Sequence, residues 1–202
     1  MTLPLGLAHY AAYAERIVVG VSEEERLRWD ERHRALGIAP VEDVGLPSVF
    51  AGHESLVPTE GFALEIACGR GGAAVWLAKR GLRYLGIDVS AVAIDLARKL
   101  VESVSLEKRC EFIVHDLDLG LPETPPADVL LCHMYRNRSL NRLMVQRLNP
   151  GGVLFMAVLS EVGGQPGRHT AKRGELLQSF DELDVLAHGE GDGKAWLIGR
   201  KS

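Results

Sequence analysis

The chain has 202 residues, of which 47% are hydrophobic and 25% charged, and a formal net charge of −4 at pH 7. This balance is typical of one globular domain, and the slight negative charge gives no reason to expect nucleic acid or an anionic membrane as a partner. Cys68, Cys110 and Cys132 lie far apart in apolar runs, so we expect neither disulfides nor a bound metal.

The N-terminal stretch is apolar but poorly suited to a membrane. Residues 3–20 lack a basic leading segment and contain His9, Glu15 and Arg16. They are therefore too polar for a transmembrane span and poorly formed as a secretion signal, and we expect a cytoplasmic protein. Tyr10–Val19 is predicted to be weakly helical.

A better-defined helix is predicted next. Ser22, with Glu25 three residues later, forms a capping box that begins a helix continuing through Arg34. The segment 39–61 contains three prolines, and it is predicted to be irregular apart from a helical turn within 48–56.

From Phe62 onward, strand-like and helix-like patterns alternate. The predicted strands are 62–67, 83–88, 110–115, 128–132 and 153–159, and the predicted helices are 72–80, 91–103 and 140–148. Ser90 and Ser139 are the predicted N-caps of the second and third of these helices. A short helix at 175–180 precedes two more strands, 184–187 and 195–200, which are too close for a parallel crossover and must form an antiparallel hairpin. The pattern predicts an α/β fold, a doubly wound, mostly parallel sheet with one reversed strand.

The most informative feature is the turn after the first predicted strand. Gly69, Gly71 and Ala74 fit the glycine pattern of a dinucleotide-binding turn, and Asp88 has about the spacing of the ribose-binding acid. Glu65, however, stands close to that turn, where its carboxylate would repel two phosphates. S-Adenosylmethionine (AdoMet) carries a sulfonium and an ammonium group instead of phosphates, so these residues favour AdoMet over NAD.

Polar residues also follow the third and fourth predicted strands, at the same edge of the sheet. Asp116 stands at the tip of the third strand. His133, Tyr135 and Arg136 follow the fourth strand, at the lip where a transferable methyl group would project. His133 could act as a general base because its unperturbed pKa is near neutral, or it could merely form part of the pocket wall.

Two further regions could contact a substrate. Trp29, His33 and Arg34 lie on the predicted N-terminal helix, and their spacing could place an aromatic ring and a cation over the cleft. Plain packing for Trp29 and a solvated surface position for Arg34 are the alternative. Arg168 and its basic neighbours in the loop 163–174 could attract an anionic substrate, although a merely mobile loop is the simpler interpretation.

Taken together, the motifs resemble those of class I AdoMet-dependent methyltransferases. The matching segments are 64–71, 86–90, 115–117 and 148–152. Within that superfamily the chain is most similar to the small tellurite-resistance and thiopurine-type enzymes, on segments 28–32, 74–78 and 174–176. The resemblance covers about residues 25 to 202.

The resemblance implies a seven-stranded sheet in the order 3-2-1-4-5-7-6 with strand seven antiparallel, and AdoMet across the carboxyl ends of strands one and four. Glu65 and the turn 69–71 would hold the methionine part, Asp88 the ribose, and Asp116 with Leu117 the adenine. Further cofactor contacts are expected from Ala67, Val89 and His133. Ala67 departs from the glycine that is common in the family at this position.

The resulting prediction is a single methyltransferase domain spanning 1–202, with residues 1–60 as a lid segment and 61–202 as the α/β core. It would transfer the methyl group of AdoMet to an oxygen, nitrogen, sulfur or chalcogen atom of a small molecule by direct displacement, leaving S-adenosyl-L-homocysteine. Two alternatives stay open: a catalytically silent AdoMet-binding regulatory protein and an NAD-dependent oxidoreductase.

Overall fold

A seven-stranded sheet organises the chain in a computed structural model that describes residues 20–41 and 44–202. The predicted helix Tyr10–Val19 lies outside these described residues. The strands are β1 Phe62–Ile66, β2 Arg83–Asp88, β3 Cys110–Val114, β4 Ala127–His133, β5 Leu148–Leu159, β6 Asp184–Gly191 and β7 Lys194–Arg200. The α-helices are α1 Glu23–Leu36, α2 Gly72–Lys79, α3 Ala91–Ser103, α4 Asn141–Arg147 and α5 Glu175–Ser179. Short 3-10 turns occupy Ser48–Phe50, Glu54–Leu56, Leu117–Leu119 and Arg138–Leu140.

The strand order is β3-β2-β1-β4-β5-β7-β6, which confirms the predicted sheet. β1 to β5 pair in parallel, and β7 runs antiparallel to both β5 and β6. Two apolar clusters cover the two faces of the sheet. On β1, Ala63 belongs to one cluster and Leu64 to the other, and Val129 and Leu130 on β4 divide in the same way. The near-continuous apolar runs follow from burial on both faces.

Parallel pairing brings the ends of four strands to one edge of the sheet. Ile66, the last residue of β1, is paired with Ile87 of β2 on one side and with Cys132 of β4 on the other. The chain leaves β1 toward β2 and β3 on one side, while β4 and β5 lie on the opposite side. This reversal creates a crevice at the carboxyl ends of β1 and β4, where open α/β sheets place their ligands.

Several boundaries differ from the sequence prediction: β4 ends at His133 rather than at Cys132, and β5 begins at Leu148 rather than at Val153. Two further differences have clear local reasons. β1 ends at Ile66 rather than at Ala67, because Ala67 has a φ of 54° and so leaves the extended conformation. The helix before β5 begins at Asn141, and Ser139 does not cap it. The side chain of Asn137 instead accepts the Ser139 backbone N–H at 3.0 Å and begins a 3-10 turn.

The terminal hairpin has longer strands than the sequence indicates. Its turn consists of Asp192 and Gly193, with φ values of 48° and 74°. Two consecutive residues in the left-handed region form the tight turn that matches the twist of a hairpin. β6 therefore continues to Gly191, and β7 begins at Lys194.

α1 begins as predicted, because the Ser22 side chain accepts the Glu25 backbone N–H at 3.2 Å. The helix packs against α3, yet it contains no fully buried residue. α1 is thus an added element that covers the sheet edge without contributing to either apolar cluster. Of the helices within 20–41 and 44–202, none has the length and apolarity that crossing a bilayer requires.

Candidate functional site

The turn between β1 and α2 is built from residues with left-handed backbone conformations. Ala67, Gly69 and Gly71 have φ values of 54°, 52° and 76°. A Cβ atom on Gly71 would stand 2.9 Å from the Cβ of Ala97 on α3, so only glycine fits there. A Cβ on Gly69 would meet only the Cε1 atom of His33, at 3.6 Å. The space over Gly69 is therefore bounded by α1.

Asp88, the last residue of β2, fastens this turn. Its Oδ2 atom accepts the Gly69 backbone N–H at 2.8 Å, and its Oδ1 atom accepts the Ser90 backbone N–H at 2.9 Å. Burial raises the pKa of the carboxyl, while these hydrogen bonds and the nearby His33 oppose the shift. Asp88 keeps 8% of its surface exposed, and both of its carboxylate oxygens accept a backbone N–H.

Glu65 lies beneath the turn, on the same face of the sheet as Asp88. The hydroxyl of Tyr84 donates a hydrogen bond to its Oε2 atom. Burial raises the pKa of Glu65 to about 8, Tyr84 opposes this shift, and Asp88 adds to it. The carboxyl is thus mostly protonated at pH 7. Sequence reasoning did not single out Tyr84, although Gly86 is paired with Glu65 and strand alternation places Tyr84 on that same face.

Three residues of α1 face the crevice. The Ser90 hydroxyl donates to the carboxylate of Asp30, which ties α1 to the start of α3. His33 lies over Gly69, and its buried Nδ1 atom has no hydrogen-bond partner among the described residues. Trp29 stacks on His33 with the ring centroids 6.1 Å apart. Burial lowers the pKa of His33, so the ring is neutral at pH 7.

Arg34, expected beside Trp29, is exposed, and its neighbour His33 holds the inward position. Successive helical residues are about 100° apart, so a spacing of five separates Trp29 from Arg34 by most of a half turn. The end of α1 is tied to the glycine turn by Arg70, whose guanidinium donates to the carbonyl oxygens of Leu36 and Gly37 at 3.2 and 2.7 Å.

Asp116 follows β3 and is held from two sides. Its Oδ1 atom accepts the Asp118 backbone N–H at 2.9 Å, and its Oδ2 atom accepts the Val21 backbone N–H at 2.7 Å. Leu117 is buried, and Val89, which follows β2, is partly exposed. The segment leading into α1 therefore lies directly against the acid that was expected to contact adenine.

The last residue of β4 and the residues after it form the other wall of the crevice. His133 is partly exposed, and burial together with Lys194 lowers its pKa, so the imidazole is neutral at pH 7. Met134 has a φ of 59°, and its backbone N–H donates to the carbonyl of Ala157 at 2.8 Å. A non-glycine residue in this conformation is held there by its surroundings and is found most often at functional sites.

Arg136 turns away from this wall and into the protein. Its side chain is 1% exposed and donates to Glu175 on α5 at 2.8 Å and to Asn141 on α4 at 2.9 Å. Arg138 donates to the same Glu175 at 2.6 Å. Tyr135 stays at the crevice side, with its hydroxyl 3.4 Å from Asp118.

The loop 163–174 is anchored to the same network. Arg138 donates to the carbonyl oxygens of Arg168 and Thr170 at 3.1 and 3.0 Å. Arg168 is exposed, as are the neighbouring residues His169, Lys172 and Arg173. The loop is thus fastened at its base and presents its cations to solvent.

The residues at this edge suit the parts of AdoMet better than they suit a metal. The crevice offers backbone N–H groups at the glycine turn, carboxyl groups at Asp88 and Asp116, and the unpartnered Nδ1 of His33 above Gly69. Within 20–41 and 44–202, no three His, Cys, Asp or Glu side chains are grouped closely enough to hold a metal ion.

Comparison with known proteins agrees with this architecture. Residues 63–152 match a family model described as a methyltransferase domain. TehB from Haemophilus influenzae superposes with a TM-score of 0.63 at 18% identity, over 70% of this chain and 57% of the TehB chain. Geranyl diphosphate C-methyltransferase from Streptomyces coelicolor A3(2), solved with Mg²⁺, geranyl diphosphate and S-adenosyl-L-homocysteine, gives 0.64 at 16% identity, over 91% of this chain and 100% of that one.

Proteins with other reactions share the architecture as well. The 4+2 cyclase SpnF superposes with a TM-score of 0.62 at 16% identity, over 91% of this chain and 84% of that one. A sequence search among curated proteins found no match. At these identities the likeness establishes the fold: a Rossmann-like methyltransferase fold with the strand order 3-2-1-4-5-7-6.

Proposed function

We propose that the protein is an AdoMet-dependent methyltransferase that acts on a small molecule. The observation that carries the proposal is the acid Asp88 fastened to the glycine turn at the sheet's reversal point, in a region that matches the methyltransferase-domain family. The S-adenosyl-L-homocysteine in the geranyl diphosphate enzyme supports the choice of cofactor.

The ends of successive strands would hold successive parts of the cofactor. Glu65 and the turn 69–71 would hold the methionine part, together with Ala67 at the start of that turn. Asp88 and Val89 would take the ribose. Asp116 and Leu117 would take the adenine, at the place where the Val21 N–H now meets the Asp116 carboxylate.

The protonated state of Glu65 weakens the sequence-based electrostatic argument against NAD. Because this carboxyl is mostly protonated, its repulsion of a dinucleotide's phosphates is weaker than a bare carboxylate would exert. The case for AdoMet over NAD therefore rests on the match of residues 63–152 to the methyltransferase-domain family, with Glu65 as a secondary argument.

AdoMet supplies a methyl group activated by its sulfonium, which needs little further chemistry from the protein. The chain's own residues would align the acceptor and exclude water. Tyr135 and Met134 would form the acceptor wall, with Trp29 on the facing helix. His133, neutral at pH 7, stands where it could take a proton from a hydroxyl, amine or thiol.

α1 would serve as the cover of the cofactor. Asp30, His33 and Trp29 lie over the crevice, while the helix contributes no fully buried residue and is held by a few polar contacts. Such an element can open at modest free-energy cost. On the tellurite-resistance and thiopurine-type pattern, a single domain spanning 1–202 would have its lid in residues 1–60, of which 1–19 and 42–43 lie outside the described part. We assign the lid to α1, because Phe50 and Val57 are buried in the apolar core.

Isothermal titration of the purified protein with AdoMet, S-adenosyl-L-homocysteine and NAD tests the cofactor. Micromolar binding of the first two and none of NAD is expected. Binding of NAD alone would refute the proposal. An acceptor screen with methyl-labelled AdoMet then tests the reaction, on a panel with thiols, phenols, amines, thiopurines and tellurite.

The second candidate is a protein that binds AdoMet without transferring its methyl group. SpnF favours this candidate, because it has the fold and is described as a cyclase. AdoMet binding without turnover on the whole acceptor panel would support it. An NAD-dependent oxidoreductase is the third candidate. NAD binding in the titration would support it, and absence of NAD binding would exclude it.

A further inference from the structure

A buried group of polar atoms lies under the glycine turn. It consists of the Glu65 carboxyl, the Tyr84 hydroxyl and the Cys68 thiol, all three residues being buried. Gly86 makes room for them: a Cβ atom there would stand 2.8 Å from Cys68 Sγ and 2.9 Å from the Tyr84 hydroxyl. The absent side chain on β2 thus creates a compartment for an acid and its hydrogen-bond donor.

Among the residues that the structure describes, no cation pairs with Glu65 in this compartment. Its one side-chain hydrogen-bond partner among the described residues is the Tyr84 hydroxyl. The other titratable groups that interact electrostatically with Glu65 are Asp88 from β2, Cys68 from the turn and Cys132 from β4. The two thiols have raised pKa values and stay neutral.

The groups around the compartment carry little positive charge. Cys110 of β3 acts on Tyr84 and also stays neutral, since its pKa is raised to about 11. From α1, His33 faces Asp88 and is neutral at pH 7. The surroundings therefore favour the uncharged form of Glu65 until a cation arrives.

We propose that Tyr84 is a positioning residue that aims Glu65 at the ammonium group of AdoMet, and that cofactor binding releases one proton from Glu65 to solvent. This inference rests on the proposed function. In the step, the Glu65 O–H bond breaks, the proton leaves to buffer, and the new carboxylate accepts hydrogen bonds from the ammonium group and from Tyr84.

Tyr84 makes the ionisation accessible near neutral pH. A hydrogen bond donated to a carboxylate stabilises the charged form, so the Tyr84 hydroxyl opposes the effect of burial. Without that donor, ionising Glu65 requires a higher pH. A purely structural role for Tyr84 would change the stability of the protein and leave the pH at which the cofactor binds unchanged.

The test is titration calorimetry of S-adenosyl-L-homocysteine in phosphate and in Tris at pH 7, which gives the protons released. 5′-Methylthioadenosine is the control ligand, because it keeps the adenosine part and lacks the amino-acid part. We expect release of close to one proton with the first ligand and none with the second. We also expect the affinity for the first to rise about tenfold per pH unit below the pKa of Glu65.

Two variants separate positioning from folding. Glu65→Gln keeps an acceptor for Tyr84 but has no proton to lose, so proton release should vanish. Tyr84→Phe should weaken S-adenosyl-L-homocysteine binding about tenfold at pH 7 and restore it at higher pH, with unchanged 5′-methylthioadenosine binding. If Tyr84→Phe does not fold, the wild-type and Glu65→Gln measurements still decide the matter.

The outcomes distinguish this inference from the function on which it rests. Binding of S-adenosyl-L-homocysteine without proton release, and with the same pH profile as 5′-methylthioadenosine, would overturn the inference and leave the proposed cofactor intact. Absence of binding by AdoMet and its product would overturn both.

Discussion

The carboxylate of Asp88 accepts the backbone N–H of Gly69 at 2.8 Å, so the acid that ends β2 holds the turn that follows β1. The sequence pattern assigns Asp88 to the ribose, and the structure adds that it fastens the glycine turn as well. If the proposed function is correct, this one side chain would both bind the ribose and hold the glycine turn in shape.

Replacing Asp88 should therefore affect binding more than loss of a ribose contact alone would. Asp88→Ala is expected to lower AdoMet affinity at least a hundredfold, because it removes the ribose acceptor and frees the Gly69 N–H. Asp88→Asn keeps one acceptor oxygen and should lose less. Titration calorimetry measures both, and equal losses in the two variants would contradict the double role.

Ala67 is strained, and glycine should relieve it. Its φ of 54° destabilises the folded state by roughly 1–2 kcal/mol when the residue is alanine. Glycine removes this strain, but its more flexible unfolded chain lowers the stability by roughly 0.5–1 kcal/mol. Ala67→Gly should raise the free energy of unfolding by about 0–1.5 kcal/mol in urea denaturation. Ala63→Gly, at an extended and buried position of β1, is the matched control and should lower it by about 1–2 kcal/mol. The same sign for both would refute the strain.

Glu65 should make the protein less stable as pH rises. Its pKa is about 8 in the folded protein and 4.5 ordinarily, so the folded state binds more protons between these values. Its contribution is fully present below pH 4.5 and lost as pH rises through 8, with a ceiling of about 5 kcal/mol. Glu65→Gln should therefore be more stable than wild type at pH 8.5, by urea unfolding. Glu102→Gln, on the exposed surface of α3, should follow wild type at both pH 5.5 and pH 8.5.

Glu175 balances two arginines, one of them buried. Glu175→Ala should lower the free energy of unfolding by about 3–5 kcal/mol, because it leaves the Arg136 guanidinium, 1% exposed, without its carboxylate. Arg138→Ala removes a half-exposed partner and should lose less than about 1 kcal/mol. The double variant Arg136→Met with Glu175→Leu should be more stable than Glu175→Ala alone.

The contribution of Glu175 to stability should also depend on pH. Arg138 and Arg136 lower the pKa of Glu175 to about 2, so its contribution is present above pH 4.5 and is lost as pH falls toward 2.

His133 should matter only for acceptors that must lose a proton. With its pKa lowered below 6.5, the imidazole is an available base at neutral pH, and activity should fall as pH drops through that lowered value. His133→Gln is expected to lower kcat by about a hundredfold or more on such an acceptor, a larger factor than any accompanying loss of AdoMet affinity. A loss below tenfold would assign His133 to the pocket wall.

The sequence predicted the strands and the reversed hairpin well, because the signals that define them are local or nearest-neighbour. Apolar runs marked the strands, Ser22 and Ser90 marked two helix starts, and the short spacing before the last strand required an antiparallel hairpin. The alternation of strands and helices then predicted a doubly wound, mostly parallel sheet, and the resemblance to class I AdoMet-dependent methyltransferases supplied the strand order. The same local patterns missed Asn137, which begins a 3-10 turn where Ser139 was expected to cap a helix.

By itself, the sequence determined which residues stand at the strand ends: Glu65, Asp88, Asp116 and His133. Only the tertiary structure decided what each one faces. Tyr84 is the partner of Glu65 because the register of β1 and β2 places Gly86, which has no side chain, beside Glu65. Arg136 pairs with Glu175, which lies 39 residues further along the chain, because α5 packs on the sheet. Periodicity along one segment carries no information about the segment packed against it, and that neighbour sets burial, charge and pKa.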